Sequence, residues 1–181
     1  MSLVGKDANY IEIYKNFYKK TTAESAGYLF EYIRKCIQEL DVNKDKLTEE
    51  IFKNISTLIT WDSQKARDMV SLLPKLTEAN VDSLEAFPDV QLTYLQKVMD
   101  RSKSPTENVS DETKLKYLTL LCKLRPDGVV SALKNYIFPL EPSLKICQDF
   151  NNLHGQAYLK SRTRNINDAI RIYIEVLIIV M

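Results

Sequence analysis

Pro142 to Met181 read PSLKICQDFNNLHGQAYLKSRTRNINDAIRIYIEVLIIVM, and the spacing of apolar residues in this stretch decides the fold. Leu144, Cys147 and Phe150 form one stripe at helical spacing. Gln156, Ala157 and Tyr158 open a second segment, which Arg162 to Asn165 interrupts. Ala169, Ile170, Tyr173, Ile174 and Leu177 then begin a third. Short helix, tight polar turn and helix, with small residues where backbones must approach, is the pattern of stacked helical hairpins. The closing run, Ile172 to Met181, is apolar at nine of ten positions, Glu175 being the exception. It is too short to cross a bilayer. A helix apolar all round expects a neighbour on every side. The sequence therefore predicts a segment of a longer array, self-association through the Ile178 to Met181 edge, and Met1-Ser2-Leu3 as an added leader.

Working back from this stretch, the same pattern recurs. Asp111 to Leu124, DETKLKYLTLLCKL, places Leu115, Tyr117, Leu118, Leu121 and Cys122 on one face. Those positions align at an offset of 23 with Leu92, Tyr94, Leu95, Val98 and Met99. A second echo pairs MVSLL at Met69 to Leu73 with VVSAL at Val129 to Leu133. Ala26, Leu29, Phe30, Ile33, Cys36, Ile37 and Leu40 predict a helix from about Ala23 to Leu40. DVNKDK at Asp41 to Lys46 reads as a turn. Thr48, Glu49 and Glu50 open the next helix, with Leu47, Ile51, Ile55, Leu58 and Ile59 buried. Asp62 reads as the N-cap of a further helix that stops near Pro74. Tyr10, Ile11, Ile13, Tyr14, Phe17 and Tyr18 give a short helical pattern over residues 8–19. RSKSPTENVS, Arg101 to Ser110, is the longest polar stretch and predicts a mobile connector inside the array. The expectation is one all-α segment over residues 1–181, an α-solenoid of stacked antiparallel hairpins with roughly ten helices.

Composition narrows the function classes. Lys plus Arg number 25 against 24 Asp plus Glu, so the chain lacks the electrostatic footprint of a nucleic-acid binder. Four glycines in the chain argue against phosphate-cradling loops. Cys36, Cys122 and Cys147 lie far apart in helix-like patterns, which suits reduced core thiols of a cytosolic protein. The start, MSLVGKDANY, is not a signal peptide, so the sequons at Asn54 and Asn108 read as chance matches.

A search for chemistry yields little. His154 is the one histidine, which excludes multi-histidine metal sites and leaves no cofactor implied. Cys147 lies seven residues before His154, but Asn151-Asn152 breaks the intervening helix, so a core thiol beside a helix-start histidine is the favoured reading over a nucleophilic pair. Glu49-Glu50 and Asp111-Glu112 suit first helical turns. Lys19-Lys20 and Arg34-Lys35 suit solvated faces. Arg162 and Arg164 flank a tight turn, where an exposed turn is favoured over a phosphoinositide or acidic-partner contact. Trp61 and the ten tyrosines fall mostly at helical spacing and read as packing residues, not as a base-stacking platform. No catalytic or metal residue is assigned.

Tyr117 to Leu177, YLTLLCKLRPDGVVSALKNYIFPLEPSLKICQDFNNLHGQAYLKSRTRNINDAIRIYIEVL, carries a family resemblance. A helix through Leu124 is followed by Pro126 and Asp127, then by Val129 to Leu133. LEPSLKICQDFNNLHGQAYL has an apolar helix ending in "IC", a polar break and "AYL". A charged turn ending in Asn165 leads to a helix with Ala169, Ile170 and Leu177. This resembles the clathrin-heavy-chain-repeat region of vacuolar protein sorting subunits, the large solenoid subunits of the CORVET and HOPS tethering complexes. The resemblance covers Asp111 to Leu177 and is nearest the CORVET-specific subunit, with clathrin heavy chain a weaker fit. It departs at Arg164, where the family often has Gly.

The resemblance implies a non-catalytic scaffold in endolysosomal vesicle tethering, cytoplasmic and peripheral on endosomal or vacuolar membranes. It implies other tethering subunits as partners and an endosomal small GTPase through the parent protein, whose further parts would be a β-propeller and a zinc-binding RING-like end. A clathrin-like coat or another helical-repeat adaptor is the alternative. A helical enzyme or enzyme-regulatory domain, with its site on the loops, is the second.

Overall fold

The computed structural model describes residues 23–39, 44–73, 78–101, 109–163 and 165–180. Among them every element is helical: α1 (Ala23–Glu39), α2 (Lys44–Lys53), α3 (Ile55–Trp61), α4 (Ser63–Leu72), α5 (Pro88–Arg101), α6 (Asp111–Leu124), α7 (Val129–Asn135), α8 (Leu140–Asp149), α9 (Leu153–Arg162) and α10 (Ile166–Val180). Three single 3-10 turns, Glu78–Asn80, Asp82–Leu84 and Pro126–Gly128, join them. This is the all-α architecture of consecutive short helices that an α-solenoid is built from. The helical pattern over residues 8–19 and most of the polar stretch after Arg101 lie outside the described residues.

The chain divides into two compact units, Met1–Lys97 and Val98–Met181. In the first, α1 packs on α4, and α3 on α4. Leu29, Ile33, Ile51, Ile55, Leu58, Val70 and Leu95 are buried there. Phe52 meets Tyr94 edge to face, with ring centroids 5.4 Å apart. The buried face of the second helical segment is as the sequence predicts at Ile51, Ile55, Leu58 and Ile59, but Leu47 is only half-buried. The helix also begins earlier than the sequence suggests, at Lys44, so Glu49 and Glu50 sit in its interior and not in its first turn. It breaks at Asn54, whose side-chain amide donates back to Glu50 O at 2.9 Å.

Asp62 is the N-cap of α4, its Oδ1 accepting from Lys65 N at 2.9 Å. A cap of this kind satisfies one of the orphan amides of the first turn. Asp62→Ala is expected to cost about 1 kcal/mol of stability in urea denaturation. Asp62→Asn, which keeps the acceptor, is expected to stay close to wild type.

In the second unit α6 packs on α7, α8 on α9 and α9 on α10, and α6 also meets α8 while α7 meets α9. Contact with the next helix and the next but one is what stacked hairpins require. Ser110 closes the polar stretch as the N-cap of α6, its Oγ accepting from Thr113 N at 3.2 Å. Tyr117, Leu118, Leu121 and Cys122 are buried, and so are Leu92, Tyr94, Leu95, Val98 and Met99. Leu115, which the echo pairs with buried Leu92, is only half-buried, so the 23-residue echo marks equivalent faces at four of its five positions. The echo of MVSLL and VVSAL does not: Met69 to Leu72 end α4, whereas Val129 to Leu133 begin α7.

The last helix departs from its predicted phase. Ala169 and Ile172 face inward, while Ile166, Ile170, Tyr173, Ile174 and Ile178 are 42–69 % exposed. A helix apolar all round gives no sequence signal of which side its neighbour covers, and here α9 covers one side. The turn before it is fastened by charge. Lys160 reaches Asp168 at 3.0 Å, and Asn165 donates to the same carboxylate at 2.9 Å. Hydrogen bonding to Lys160 and its charge hold the Asp168 carboxyl below its ordinary range.

Candidate functional site

The α8–α9 junction concentrates the buried polar chemistry of the second unit. Helix α8 ends with Asn151 in the left-handed region, at φ 51°. Asn151 N donates to Gln148 O at 2.9 Å, and Asn152 N to Cys147 O at 2.8 Å. These two bonds make a Schellman C-cap with asparagine where glycine is usual. Asparagine tolerates this backbone region better than other side chains do.

Asn152 then serves three elements at once. Its amide closes α8, and its side-chain Oδ1 accepts from Gly155 N at 2.8 Å as the N-cap of α9. Its Nδ2 donates to Pro126 O, 26 residues away, at 3.0 Å. Gln156 adds a bond from Nε2 to Cys147 O at 3.0 Å, so that carbonyl accepts twice. Both side chains are buried. Their bonds are directed at backbone groups, and satisfying such groups in a dry interior is what keeps them from costing stability.

Gly155 is where the helices come closest. A Cβ there would lie 2.8 Å from Cys147 Sγ, 3.0 Å from Asn152 Oδ1 and 3.0 Å from Val129 Cγ1. The small residue is a packing requirement that the sequence signals only as a glycine inside a helix.

Beside this junction opens a recess of 270 Å³, lined by Pro126, Asp127, Phe150, Asn151, Asn152, Leu153, His154 and Val176. Phe150, expected in the buried stripe of α8, is 41 % exposed and forms part of the wall. His154 is exposed at the rim, as a helix-start residue. Cys147 is fully buried and is not on the wall. A hydrogen bond to the Cys122 thiol, with burial added, pushes the Cys147 thiol above its ordinary range. Its full burial, away from the wall of the recess, makes this cysteine a packing residue. Among the described residues no group of three His, Cys, Asp or Glu side chains could hold a metal ion.

The remaining predicted positions behave as surface. Arg34 pairs with Glu31 at 2.9 Å, Lys114 with Asp111 at 2.9 Å, and Lys53 with Glu50 at 2.6 Å, all exposed pairs within one helix. Arg162 is exposed in the last turn of α9. Lys19, Lys20 and Arg164 lie outside the described residues.

A second feature is an aromatic cluster. Tyr117 lies edge to face with Tyr136, centroids 6.1 Å apart, and stacked with Phe138 at 6.5 Å. The Tyr136 hydroxyl donates to Asp100 Oδ1 at 2.6 Å. Burial pushes the Tyr117 hydroxyl up to about 12, with the Asp100 carboxylate adding to the rise and Arg125 opposing it. The folded pKa is raised, so the stabilisation is complete below the ordinary tyrosine value of about 10 and is lost as pH climbs toward 12. In an alkaline absorbance titration, Tyr117 is expected to ionise about two units above the ordinary tyrosine value. Tyr117→Phe should remove the late step. Ionisation of every tyrosine in one step near pH 10, with the fold intact, would count against the buried cluster.

Among the described residues no helix is long and apolar enough to cross a membrane. No protein-family model matches the chain, and no solved structure does. Two curated relatives do: the vacuolar protein sorting-associated protein 41 homologs of Mus musculus and Homo sapiens. Each is 29% identical over 139 residues. The similarity covers 74% of this chain but only 16% of either relative, so the sequence corresponds to a small part of the length of the proteins it is similar to.

Proposed function

We propose that this chain is a non-catalytic scaffold segment of a vacuolar protein sorting subunit that acts in endolysosomal vesicle tethering. The observation that carries the reading is the similarity over 139 residues to the two sorting-associated relatives. It is supported by the packing of consecutive short helices in the second unit, where α6 also reaches α8 and α7 reaches α9, which makes an extended contact surface. The buried amides of Asn152 and Gln156 are spent on fixing backbone, which suits a strut. The partners in this reading are other tethering subunits, with an endosomal small GTPase reached through the parent protein. Membrane association runs through those partners, on the cytosolic face of endosomes or vacuoles.

Affinity purification of the intact parent protein from its own cells, with mass spectrometry, tests this. Recovery of several other large propeller–solenoid subunits is the expected result, and the subunits recovered decide between CORVET and HOPS. Clathrin light chains and adaptors in their place would move the protein to a coat.

The exposed stripe of α10, from Ile166 to Ile178, is an apolar edge of the kind that helical repeats cover with another helix. The isolated chain is expected to self-associate there, its apparent mass rising with concentration in light scattering. Ile170→Glu should abolish the rise without loss of helicity. A mass independent of concentration would show that the stripe does not drive association.

A further inference from the structure

The recess beside the α8–α9 junction has properties that the packing of the fold does not use. Among the described residues, its one formally charged lining residue is Asp127, whose carboxylate is exposed and has no hydrogen-bond or ion-pair partner there. Arg125, two residues earlier, acts instead on the Tyr117 hydroxyl. The lining also includes the half-exposed ring of Phe150, which makes no ring contact with another aromatic side chain among the described residues. Leu153 and Val176 complete an apolar wall. His154 is likewise without a partner.

Size, charge and shape together select an occupant. At 270 Å³ the recess falls below the range of about 300–1,000 Å³ typical of small-molecule and cofactor sites, and fits one inserted side chain. An unpaired carboxylate and an exposed aromatic face lining one recess attract a cation. A guanidinium answers both, because it stacks flat on a ring and offers paired N–H donors to a carboxylate. An ammonium offers only a compact charge. The rim is also held in place before any ligand arrives: Asn152 ties Pro126 to the start of α9, and Asn151 is fixed by its bond to Gln148. A preformed rim spares a ligand the cost of ordering it.

We propose that this recess is a docking site for an arginine side chain of a protein partner, with Asp127 as its counter-ion and Phe150 as its stacking surface. The inference stands on the recess alone and is independent of the vacuolar sorting reading.

The test is a titration of the 181-residue chain with acetyl-Ala-Arg-Ala-amide, followed by amide chemical shifts. Saturable shifts at Asn151, His154 and Gly155 are expected, with a Kd of about 1 mM, as suits a single side chain. Asp127→Asn and Phe150→Ala should each weaken binding by about threefold or more. Both residues are exposed, so the variants are expected to fold, which their own spectra report. The lysine peptide should bind more weakly, and acetyl-Ala-Glu-Ala-amide should leave these amides unmoved. The proposal is overturned if the arginine peptide gives no saturable shift there. It is equally overturned if Asp127→Asn binds as tightly as wild type, or if the glutamate peptide binds as well.

Discussion

Leu118→Asp is expected to unfold the second unit at room temperature. Leu118 is wholly inaccessible, in the middle of α6. Removing it forfeits about 1.5–3 kcal/mol of apolar burial. Placing a carboxylate there without a partner adds a few kcal/mol more, or forces the group to take up a proton. The sum, about 4 kcal/mol or above, rivals the whole stability of many domains. Urea denaturation followed by circular dichroism measures it. Ile170→Asp is the matched comparison. The sequence pattern makes the two sites equivalent, but Ile170 is half-exposed on the outer face of α10, and its replacement should change stability by less than about 0.5 kcal/mol. Similar losses at both positions would mean that the outer face is covered.

Gly155→Val is expected to cost about 3 kcal/mol, at the upper end of overpacking penalties. The first added carbon already meets three atoms at 3.0 Å or less, from Cys147, Asn152 and Val129. Relief by moving Asn152 would break the bond that its Oδ1 accepts from Gly155 N. Relief by moving Val129 or Cys147 would disturb two further helices. At Gly128, by contrast, a Cβ meets only Leu121 Cδ1, at 3.4 Å, and the backbone sits at φ −78°. Gly128→Ala should therefore be neutral or stabilising by a few tenths of a kcal/mol, since it restricts the unfolded chain. A melt in which both substitutions behave alike would contradict the close approach of α7, α8 and α9.

Much of the fold is legible in the sequence because burial follows spacing wherever a helix has one wet side. Leu92, Tyr94, Leu95, Val98 and Met99 are such a case, and so are Tyr117, Leu118, Leu121 and Cys122. Asp62 is legible for a different reason: a short acceptor before an apolar run has few other uses. The failures are equally physical. In α10 the apolar residues encircle the helix, so spacing cannot reveal which side is covered. At Phe150 the stripe of α8 runs past the last hydrogen-bonded turn, and the chain leaves the helical direction before the ring can be buried.

The candidate site was the least legible part. Asn151-Asn152 reads as a helix breaker, which is correct, but the reach of Asn152 to Pro126 is a contact across 26 residues. The available signal was local: asparagine three residues before a glycine, at the start of a helix, fits an N-cap. Asp127 carries no pattern, and the spacing that includes Phe150 points its ring inward. The two residues line one recess because the two connections, Pro126–Gly128 and 150–152, fall on one side of the second unit.

The triple use of Asn152 has a consequence for how this unit tolerates change in chain length. Connections between helices are usually the positions where insertions and tags do least harm. Here a single added residue between Phe150 and Leu153 would move Asn152 out of register with Pro126 O, with Gly155 N, or with both. The turn between α8 and α9 should thus be closed to insertion.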